Sequence, residues 1–356
     1  MVLKPLDVVA TNVSGSGAVE LAKSLLPALE ADPRLAVERL YLPDRGPLAA
    51  YRPIIDAAAI PTHRRLPNAI SRILECTVGA RRFDRGVPLL VLGDLPLAVK
   101  ARQTVIVQNA HLLSRFSPAQ GSDAVKYAVM RVVFSANAGR AAAIVVQSTV
   151  MRDALLAEYA VAAERVHVIQ QPPPTWLLDD PRAVAHRPER RRLRLFYPAA
   201  GYPHKNHILL GRVDTVAWDR LVERLVVTLP AATSPASSIA SITSVGHLDP
   251  AAMRVEYATA DALLFLSTAE SYGFPLVEAM WLGLPIVAAD LPYAHALCGD
   301  QAVYFDPSDG AHLLRALGDL RTRLDAGWRP DWREQLAPIP RDWAAVAAQV
   351  AAVAVD

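Results

Sequence analysis

Two glutamates separated by seven residues form the most chemically informative pattern in this 356-residue sequence. Glu270 and Glu278 flank a loop that contains Gly273, and Pro275 stands in the first turn of a predicted helix. A predicted buried strand, residues 262–266, precedes the loop. Backbone N–H groups at such a helix start favour an anion such as phosphate. The pattern therefore predicts one carboxylate on a sugar hydroxyl and the other on a ribose, with a diphosphate between them.

The elements around this loop belong to an alternation of strand and helix that runs along the whole chain. Continuous short apolar runs are typical of parallel strands buried on both faces. They occur at residues 6–10, 89–92, 104–107, 143–146 and 166–169, and again at 193–197, 225–229, 262–266, 286–289 and 302–305. We therefore expect an α/β fold.

A break rich in proline and charge, residues 172–192, separates the two series of strands. We expect two tandem Rossmann-like domains, residues 1–178 and 179–338, with a cleft between them. The remaining segment, residues 339–356, contains a nearly all-apolar predicted helix that needs burial on most sides. We expect this helix to cross back and pack on the first domain.

The sequence from Glu270 to Glu278, Glu-Ser-Tyr-Gly-Phe-Pro-Leu-Val-Glu, resembles glycosyltransferase family 4, the retaining nucleotide-sugar transferases of the GT-B fold. The runs Gly-Leu-Pro-Ile-Val-Ala at 283–288 and Val-Tyr-Phe-Asp-Pro at 303–307 also match, so the resemblance covers essentially the whole second domain. It implies that Glu270 binds the donor sugar and Glu278 the ribose. The donor site implied in this loop consists of Glu270, Ser271, Gly273, Phe274, Pro275, Leu276 and Glu278, with the backbone amides of Gly273 and Phe274 near the diphosphate.

A second donor element of the family matches at residues 197–206, where Lys205 occupies the phosphate-binding lysine position. A lysine can neutralise a leaving diphosphate. The family commonly has an arginine five residues earlier, where this sequence has Ala200. Gly246 and His247 match the region that contacts the nucleobase, although an exposed loop histidine accounts for His247 equally well.

In the first domain, Gly15 and Gly17 resemble the family's glycine loop, which faces the donor phosphates. His111 is the candidate for a histidine that contacts the donor sugar, although strict alignment places Gln108 or Asn109 there. As a residue alone, His111 fits a core or loop histidine equally well. The resemblance thus implies Glu270, Lys205 and His111 as the catalytic residues.

The net charge of +2 hides an asymmetry between the two halves. Residues 1–178 hold 20 Lys and Arg against 14 Asp and Glu, a balance of +6, while residues 179–356 have a balance of −4. We hypothesise that five arginines favour an anionic acceptor or membrane surface, against the equal alternative of a solvated basic face: Arg64, Arg65, Arg72, Arg81 and Arg82. Nucleic acid is not expected, because no binding motif is present and aromatic residues make up only 6%.

Cysteine, metal and membrane patterns limit the other classes. The two cysteines, Cys76 and Cys298, form no disulfide framework, and we find no convincing metal cluster in the sequence. No apolar run reaches the roughly 20 residues that cross a bilayer, and the first residues do not resemble a signal peptide. We expect a cytoplasmic protein, peripheral at the inner face of the cytoplasmic membrane, with no permanently bound cofactor and no metal.

The function expected from the resemblance is retaining transfer of a hexose from a nucleotide-diphosphate sugar, GDP- or UDP-linked, to a glycan or polyprenyl-diphosphate-linked acceptor. The pathway implied is bacterial cell-surface polysaccharide synthesis: lipopolysaccharide, capsule or exopolysaccharide. Two alternatives are kept beside it. One is a non-catalytic nucleotide-sugar-binding protein of the same fold, which Ala200 makes conceivable, and the other is a nucleotide-sugar 2-epimerase.

Overall fold

The computed structural model describes residues 3–13, 15–54, 62–63, 69–116, 122–179, 192–236 and 238–355. The chain divides into two compact units. Unit 1 consists of Met1–Pro172 together with Pro340–Asp356, and unit 2 consists of Pro173–Ile339. Each unit is a parallel β-sheet with helices.

Unit 1 is built on a seven-stranded sheet of parallel strands in the order β3-β2-β1-β4-β5-β6-β7. Its elements in chain order are β1 (Lys4–Val9), α1 (Ser16–Glu30), β2 (Leu35–Pro43), β3 (Thr62–His63), α2 (Ala69–Cys76), β4 (Leu89–Val91), β5 (Gln103–Val107), α3 (Ser122–Ala138), β6 (Ala143–Val146), α4 (Thr149–Glu158) and β7 (Val166–Val168). Strands β4, β5 and β6 are buried along their whole length, as continuous apolar runs predict.

Unit 2 contains a six-stranded sheet, also of parallel strands, in the order β10-β9-β8-β11-β12-β13. Its elements are α5 (Thr175–Leu178), β8 (Leu193–Tyr197), α6 (Thr215–Leu221), β9 (Val222–Val227), β10 (Ile242–Ser244), α7 (Pro250–Thr259), β11 (Ala262–Phe265), α8 (Phe274–Trp281), β12 (Ile286–Ala289), α9 (Pro292–Cys298), β13 (Val303–Phe305), α10 (Gly310–Asp325) and α11 (Arg333–Leu336). In both sheets the chain starts near the middle and winds outward in both directions, which places a topological switch point between central strands.

The last helix, α12 (Trp343–Val355), belongs to unit 1 although 167 residues of unit 2 precede it. It packs against α1, β1, β5 and β6 and buries six side chains: Trp343, Val346, Ala347, Val350, Ala351 and Ala354. Two arginines of unit 1 donate to its carbonyl groups, Arg34 to Ala348 at 2.9 Å and Arg102 to Ala354 at 3.3 Å. Ala354 lies in the last turn of α12, where carbonyls have no partner inside the helix, so Arg102 satisfies one of them.

All ten strands expected from apolar runs are present, and the structure adds three strands that were not expected. Strand β2 is the longest of unit 1 and was not expected, because Glu38 and Arg39 interrupt its apolar pattern. They lie where the β1–β2 register shifts. Strand β10 is short and only partly buried, and β3 is a two-residue strand, so neither gives a clear apolar run. The helix expected to open at Asn206 is instead a 3₁₀ turn, His207–Arg212.

Candidate functional site

The loop between β11 and α8 depends on one glycine. Gly273 is the N-cap of α8 and has φ +98°, a left-handed conformation that side chains other than that of glycine rarely adopt. A Cβ atom there would also lie 3.2 Å from the Leu276 side chain. Gly273 therefore lets the chain turn sharply from the strand edge into α8, whose N-terminus carries the positive end of the helix dipole.

Lys205 and Glu270 form an ion pair at this edge of the unit 2 sheet. Their side chains are 16% and 11% exposed, so the pair is largely screened from water but remains accessible. Lys205 ends a 3₁₀ turn that follows β8, and the Lys205 carbonyl accepts a 2.6 Å hydrogen bond from the buried Tyr197 hydroxyl. Asn206, which comes next, has φ +54° and donates from its amide to the Pro307 carbonyl at 2.8 Å.

Backbone contacts hold the two loops of the pair together. The His204 carbonyl accepts the Thr268 amide at 2.7 Å, which joins the Lys205 turn to the Glu270 loop. Tyr293 donates its hydroxyl to the Ser267 carbonyl at 2.6 Å from the α9 side. Burial raises the pKa of Tyr293, which keeps it a neutral donor. The ammonium and the carboxylate are thus positioned before any ligand binds.

Glu278 lies one turn inside α8 and is only 5% exposed. Its Oε2 atom accepts a 2.5 Å hydrogen bond from the Tyr257 hydroxyl. Burial and, after it, the negative charge of Glu278 raise the pKa of Tyr257 far above its usual range, so the Tyr257 hydroxyl stays a donor. One carboxylate oxygen of Glu278, the residue predicted to bind the ribose, therefore already accepts an internal hydrogen bond.

Other predicted donor residues of unit 2 differ in what they can offer. Pro275 has no N–H, and the Leu276 amide donates to the Gly273 carbonyl at 2.9 Å, so these two residues build the turn. Ser271 and Phe274 are partly buried beside Gly273. Gly246 has φ +72° after β10 and donates to the Leu229 carbonyl at 2.8 Å.

His247 and His207 of unit 2 differ in burial. His247 is exposed. His207 is buried against Tyr197, with ring centroids 4.9 Å apart, and its Nε2 atom has no partner among the described residues. Burial and, after it, the positive charge of Lys205 lower the pKa of His207 to about 4. His207 is therefore a neutral core residue at physiological pH.

In unit 1, Gly15 is the N-cap of α1 with φ −71°, a conformation open to any residue. A Cβ atom at Gly15 would meet nothing within 4 Å, so the position leaves open space at the start of α1. Gly17 lies inside α1, and Ser14 lies outside the described residues.

His111 follows β5 in a 3₁₀ turn rather than at the strand end. Its Nδ1 atom is 2.7 Å from the Phe116 carbonyl, and its ring lies 4.8 Å from that of Tyr127. Asn109 caps the turn by accepting the His111 amide at 3.1 Å. Gln108 is the residue that directly follows the strand.

The five arginines of the hypothesised anionic surface do not share one environment. Arg81 and Arg82 are exposed. Arg72 instead makes internal contacts: an ion pair with Asp94 at 3.2 Å and a hydrogen bond to the Gly93 carbonyl. Only 16% of its side chain is exposed. We therefore remove Arg72 from the surface set. Arg64 and Arg65 lie outside the described residues.

The structure also reveals a polar cluster in unit 1 that the sequence did not single out: Asn12, Arg72, Glu75, Asp94 and Gln108. This group, which we name the Asp94 cluster, is formed by residues from separate segments of the chain, so no local pattern in the sequence indicated it. Within the described ranges no group of three or more His, Cys, Asp and Glu side chains could hold a metal ion. No helix in that part of the chain is long and apolar enough to span a bilayer.

Residues 208–323 match the family described as "Glycosyl transferases group 1". The matched segment lies within unit 2. It comprises α8 and both glutamates of the Glu270 loop, while Lys205 lies just before its first residue.

Curated relatives match this chain over short segments. The O-antigen chain mannosyltransferase RfbU of Salmonella typhimurium is 30% identical over 74 residues, 21% of each chain. The O-antigen chain mannosyltransferase B of Escherichia coli is 34% identical over 67 residues, 18% of each chain. The chain thus matches only about a fifth of the length of these relatives.

Solved structures match over nearly the full length. Sucrose-phosphate synthase from Thermosynechococcus elongatus is similar with a TM-score of 0.69 at 14% identity, covering 98% of both chains. WaaG, a glycosyltransferase involved in lipopolysaccharide biosynthesis, gives 0.68 at 13% identity, covering 98% of this chain and 99% of its own. HepE from Anabaena, solved in complex with UDP, gives 0.55 at 16% identity, covering 99% and 96%. At these identities the likeness concerns the fold, and the expected GT-B type of α/β fold is confirmed.

Proposed function

We propose that the protein is a retaining glycosyltransferase that moves a sugar from a nucleotide-diphosphate sugar to a glycan or lipid-linked acceptor in cell-surface polysaccharide synthesis. The observation that carries the proposal is the Lys205–Glu270 ion pair, whose carboxylate stands in the loop that leads into α8, inside the segment similar to group 1 glycosyl transferases. A cation, a carboxylate and a helix start at one sheet edge suit a substrate that carries both a diphosphate and hydroxyl groups.

The proposed mechanism is electrostatic. As the bond from the sugar to the diphosphate breaks, negative charge grows on the leaving group and positive charge grows on the sugar ring. Lys205 and the dipole of α8 stabilise the leaving group, and Glu270 binds a donor hydroxyl close to the ring. In a retaining reaction the departing phosphate helps to deprotonate the acceptor on the same face. His111 of unit 1 is kept as a proposed contact to the donor sugar.

The nucleoside end of the donor is assigned to the other predicted residues. Glu278 binds the ribose. Gly246 and His247, which follow β10, contact the base. Because HepE was solved with UDP, a uridine donor is one candidate, and a GDP-sugar is the other.

A thermal-shift screen of the full chain against UDP-, GDP-, ADP- and dTDP-sugars tests the donor proposal. Binding to the native state raises the melting temperature by mass action, so we expect one nucleotide series to stabilise the protein in a saturable manner. Absence of stabilisation by all four series would contradict a nucleotide-sugar donor. Tight binding of one series without turnover on any acceptor would favour the non-catalytic binding protein.

We also propose peripheral contact with an anionic membrane through unit 1. Arg81 and Arg82 are exposed, and Val78, in the same 3₁₀ turn, has 76% of its surface exposed. An apolar side chain next to basic ones is a combination that favours an anionic bilayer surface.

Co-sedimentation with vesicles that contain anionic lipid tests the contact. The variant with Arg64, Arg65, Arg81 and Arg82 all changed to Ala should lose most binding at low salt. A variant with exposed Arg140 and Arg165 changed to Ala serves as a control on the same unit and should bind like the wild type. Equal binding by the fourfold variant and the wild type would overturn the proposal.

A further inference from the structure

The carboxyl edge of the unit 2 sheet carries little positive charge. Six segments directly follow its strands: residues 198–206, 228–241, 245–249, 266–273, 290–291 and 306–309. Together they contain one Lys or Arg residue, Lys205, and five carboxylate residues: Asp249, Glu270, Asp290, Asp306 and Asp309. The next cation along the chain, Arg212, is exposed at the end of the 3₁₀ turn His207–Arg212. A diphosphate bound at this edge would therefore meet one lysine and a surplus of negative charge.

The four aspartates of this edge have polar partners of their own. These are the Ala252 amide for Asp249, the His295 ring for Asp290, the Ser308 amide for Asp306 and the Ala311 amide for Asp309. Glu270 differs from them, because its carboxylate pairs with the lysine itself. Among the described residues Lys205 forms no second ion pair, so its charge is balanced by Glu270.

The surroundings of the ion pair strengthen it and hold it in place. The ammonium of Lys205 lies 5.8 Å from the centre of the Phe265 ring, which is fully buried, and charges beside apolar groups interact more strongly than in water. The hydrogen bond from the Thr268 amide to the His204 carbonyl joins the two loops that carry the pair. A diphosphate that reaches Lys205 therefore also approaches Glu270, and two anions must share one ammonium.

A sugar on the diphosphate changes this balance. Its hydroxyl groups are hydrogen-bond donors, and a carboxylate accepts them well. Glu270 can then exchange the ammonium for a hydroxyl, which releases Lys205 to the diphosphate. A free nucleoside diphosphate brings no sugar hydroxyl to Glu270, so it has to draw Lys205 away from a carboxylate that gains nothing in return.

We propose that Glu270 competes with the diphosphate for Lys205 and thereby makes unit 2 favour the whole nucleotide sugar over the free nucleoside diphosphate. Once the sugar has been transferred, Glu270 loses its hydroxyl partner, takes back the ammonium and promotes release of the product. This inference rests on the proposed donor function and adds a second role for Glu270, which is to distinguish substrate from product.

Isothermal titration calorimetry on the full chain tests the proposal with four pairs of probes: UDP and UDP-glucose, GDP and GDP-mannose, ADP and ADP-glucose, and dTDP and dTDP-glucose. We expect the wild type to bind one nucleotide sugar about threefold or more tightly than its free diphosphate. Glu270→Gln keeps the size of the side chain and removes its charge. In this variant the Kd of the free diphosphate should fall about threefold or more while that of the nucleotide sugar rises, so the preference reverses. A merely structural role of Glu270 would weaken the binding of both ligands.

Two further variants complete the test. Glu223→Gln, which removes the partner of Arg194 elsewhere in unit 2, should leave both Kd values unchanged. The double variant with Lys205→Met and Glu270→Gln leaves no unpaired charge in the site, so it also covers the case in which Glu270→Gln alone fails to fold. It should bind the free diphosphate more weakly than the wild type, because the ammonium that holds the diphosphate is gone.

The outcomes separate this inference from the proposed function. A free diphosphate that binds Glu270→Gln no more tightly than the wild type, or binds the double variant as tightly as the wild type, would overturn the competition and leave the donor proposal intact. A wild type that prefers the free diphosphate in every pair that binds would overturn it as well. Binding of none of the eight probes would contradict the donor function and the inference with it.

Discussion

The carboxyl edges of the two sheets carry different polar groups. In unit 2 the ion pair of Lys205 and Glu270 stands beside the start of α8, where the helix dipole adds positive potential. In unit 1 the guanidinium of Arg72 forms an ion pair with Asp94, and among the described residues Arg72 Nε and Gln108 Nε2 have no hydrogen-bond partner. The same sheet architecture thus carries an ion pair before a helix start in one unit and a largely buried, internally paired arginine in the other.

The comparison teaches that position on the fold and chemistry of the site are separate properties. Both edges follow from parallel strands whose carboxyl ends meet on one side. The polar groups at each edge depend on a few side chains that follow the strands: Glu270 after β11 and Asp94 after β4.

The largest expected effect concerns the charge at the unit 2 edge. Glu270→Gln removes the carboxylate that we propose binds the donor and breaks the ion pair with Lys205, so we expect turnover of the best-stabilising nucleotide sugar to fall about 10²–10³-fold. Release of nucleoside diphosphate measures it. Glu223→Gln removes a carboxylate from another ion pair of unit 2, with Arg194, and should change turnover less than about twofold. Equal loss in both variants would argue against a specific role for Glu270.

The second prediction concerns how the stability of unit 2 depends on pH. The pKa of His207 in unit 2 is lowered by burial to about 4, so its neutral form stabilises the fold above pH 6.5 and that stability is lost as the pH falls towards 4. The loss amounts to at most about 3 kcal/mol. In His207→Leu, we expect the free energy of unfolding to fall less between pH 7 and pH 4.5 than in the wild type. Tryptophan fluorescence in urea follows unit 2, which holds Trp218 and Trp332 in its core.

An identical pH profile for His207→Leu and the wild type would show that His207 is not the titrating group. The exposed His247 provides the control, because His247→Leu should leave the wild-type profile unchanged.

The third prediction compares the glycines of the two edges. Gly273→Ala in unit 2 should cost about 1–2 kcal/mol of unfolding free energy, because its positive φ disfavours a Cβ atom. Gly15→Ala in unit 1 should change stability by less than about 0.5 kcal/mol, since its φ is ordinary and the space beside it is open. Urea denaturation of both variants checks this, and a larger cost at Gly15 than at Gly273 would reverse the comparison.

The smallest expected effect is on the stability of unit 1, and it depends on pH in the opposite direction. Burial raises the pKa of Asp7 although Arg85 stands 3.1 Å away. A raised carboxyl pKa contributes stability at low pH that is lost as the pH rises through the folded value. Asp7→Asn should therefore become more stable relative to the wild type as the pH rises from 4 to 7. Hydrogen exchange resolved to β1 and its neighbours measures it, and a relative change of the other sign would contradict the assignment.

The sequence predicted the strand pattern and the Glu270 loop because both are local. A continuous apolar run or a glycine before a helix can be read within a dozen residues. The Asp94 cluster could not be predicted in this way, because Arg72, Asp94 and Gln108 come from three separate elements. Strand β2 was missed for a related reason, since Glu38 and Arg39 are tolerated only where the register with β1 shifts and Arg85 lies nearby.

Helix α12 gives the chain an unusual order of assembly. The strands of the unit 1 sheet are synthesised before unit 2, but the helix that packs on α1, β1, β5 and β6 is synthesised after it. Unit 2 is contiguous and has all its residues available earlier. We therefore expect an apolar face of nascent unit 1 to stay uncovered while unit 2 is synthesised and folds. That face is the part of the molecule that a ribosome-associated chaperone would protect.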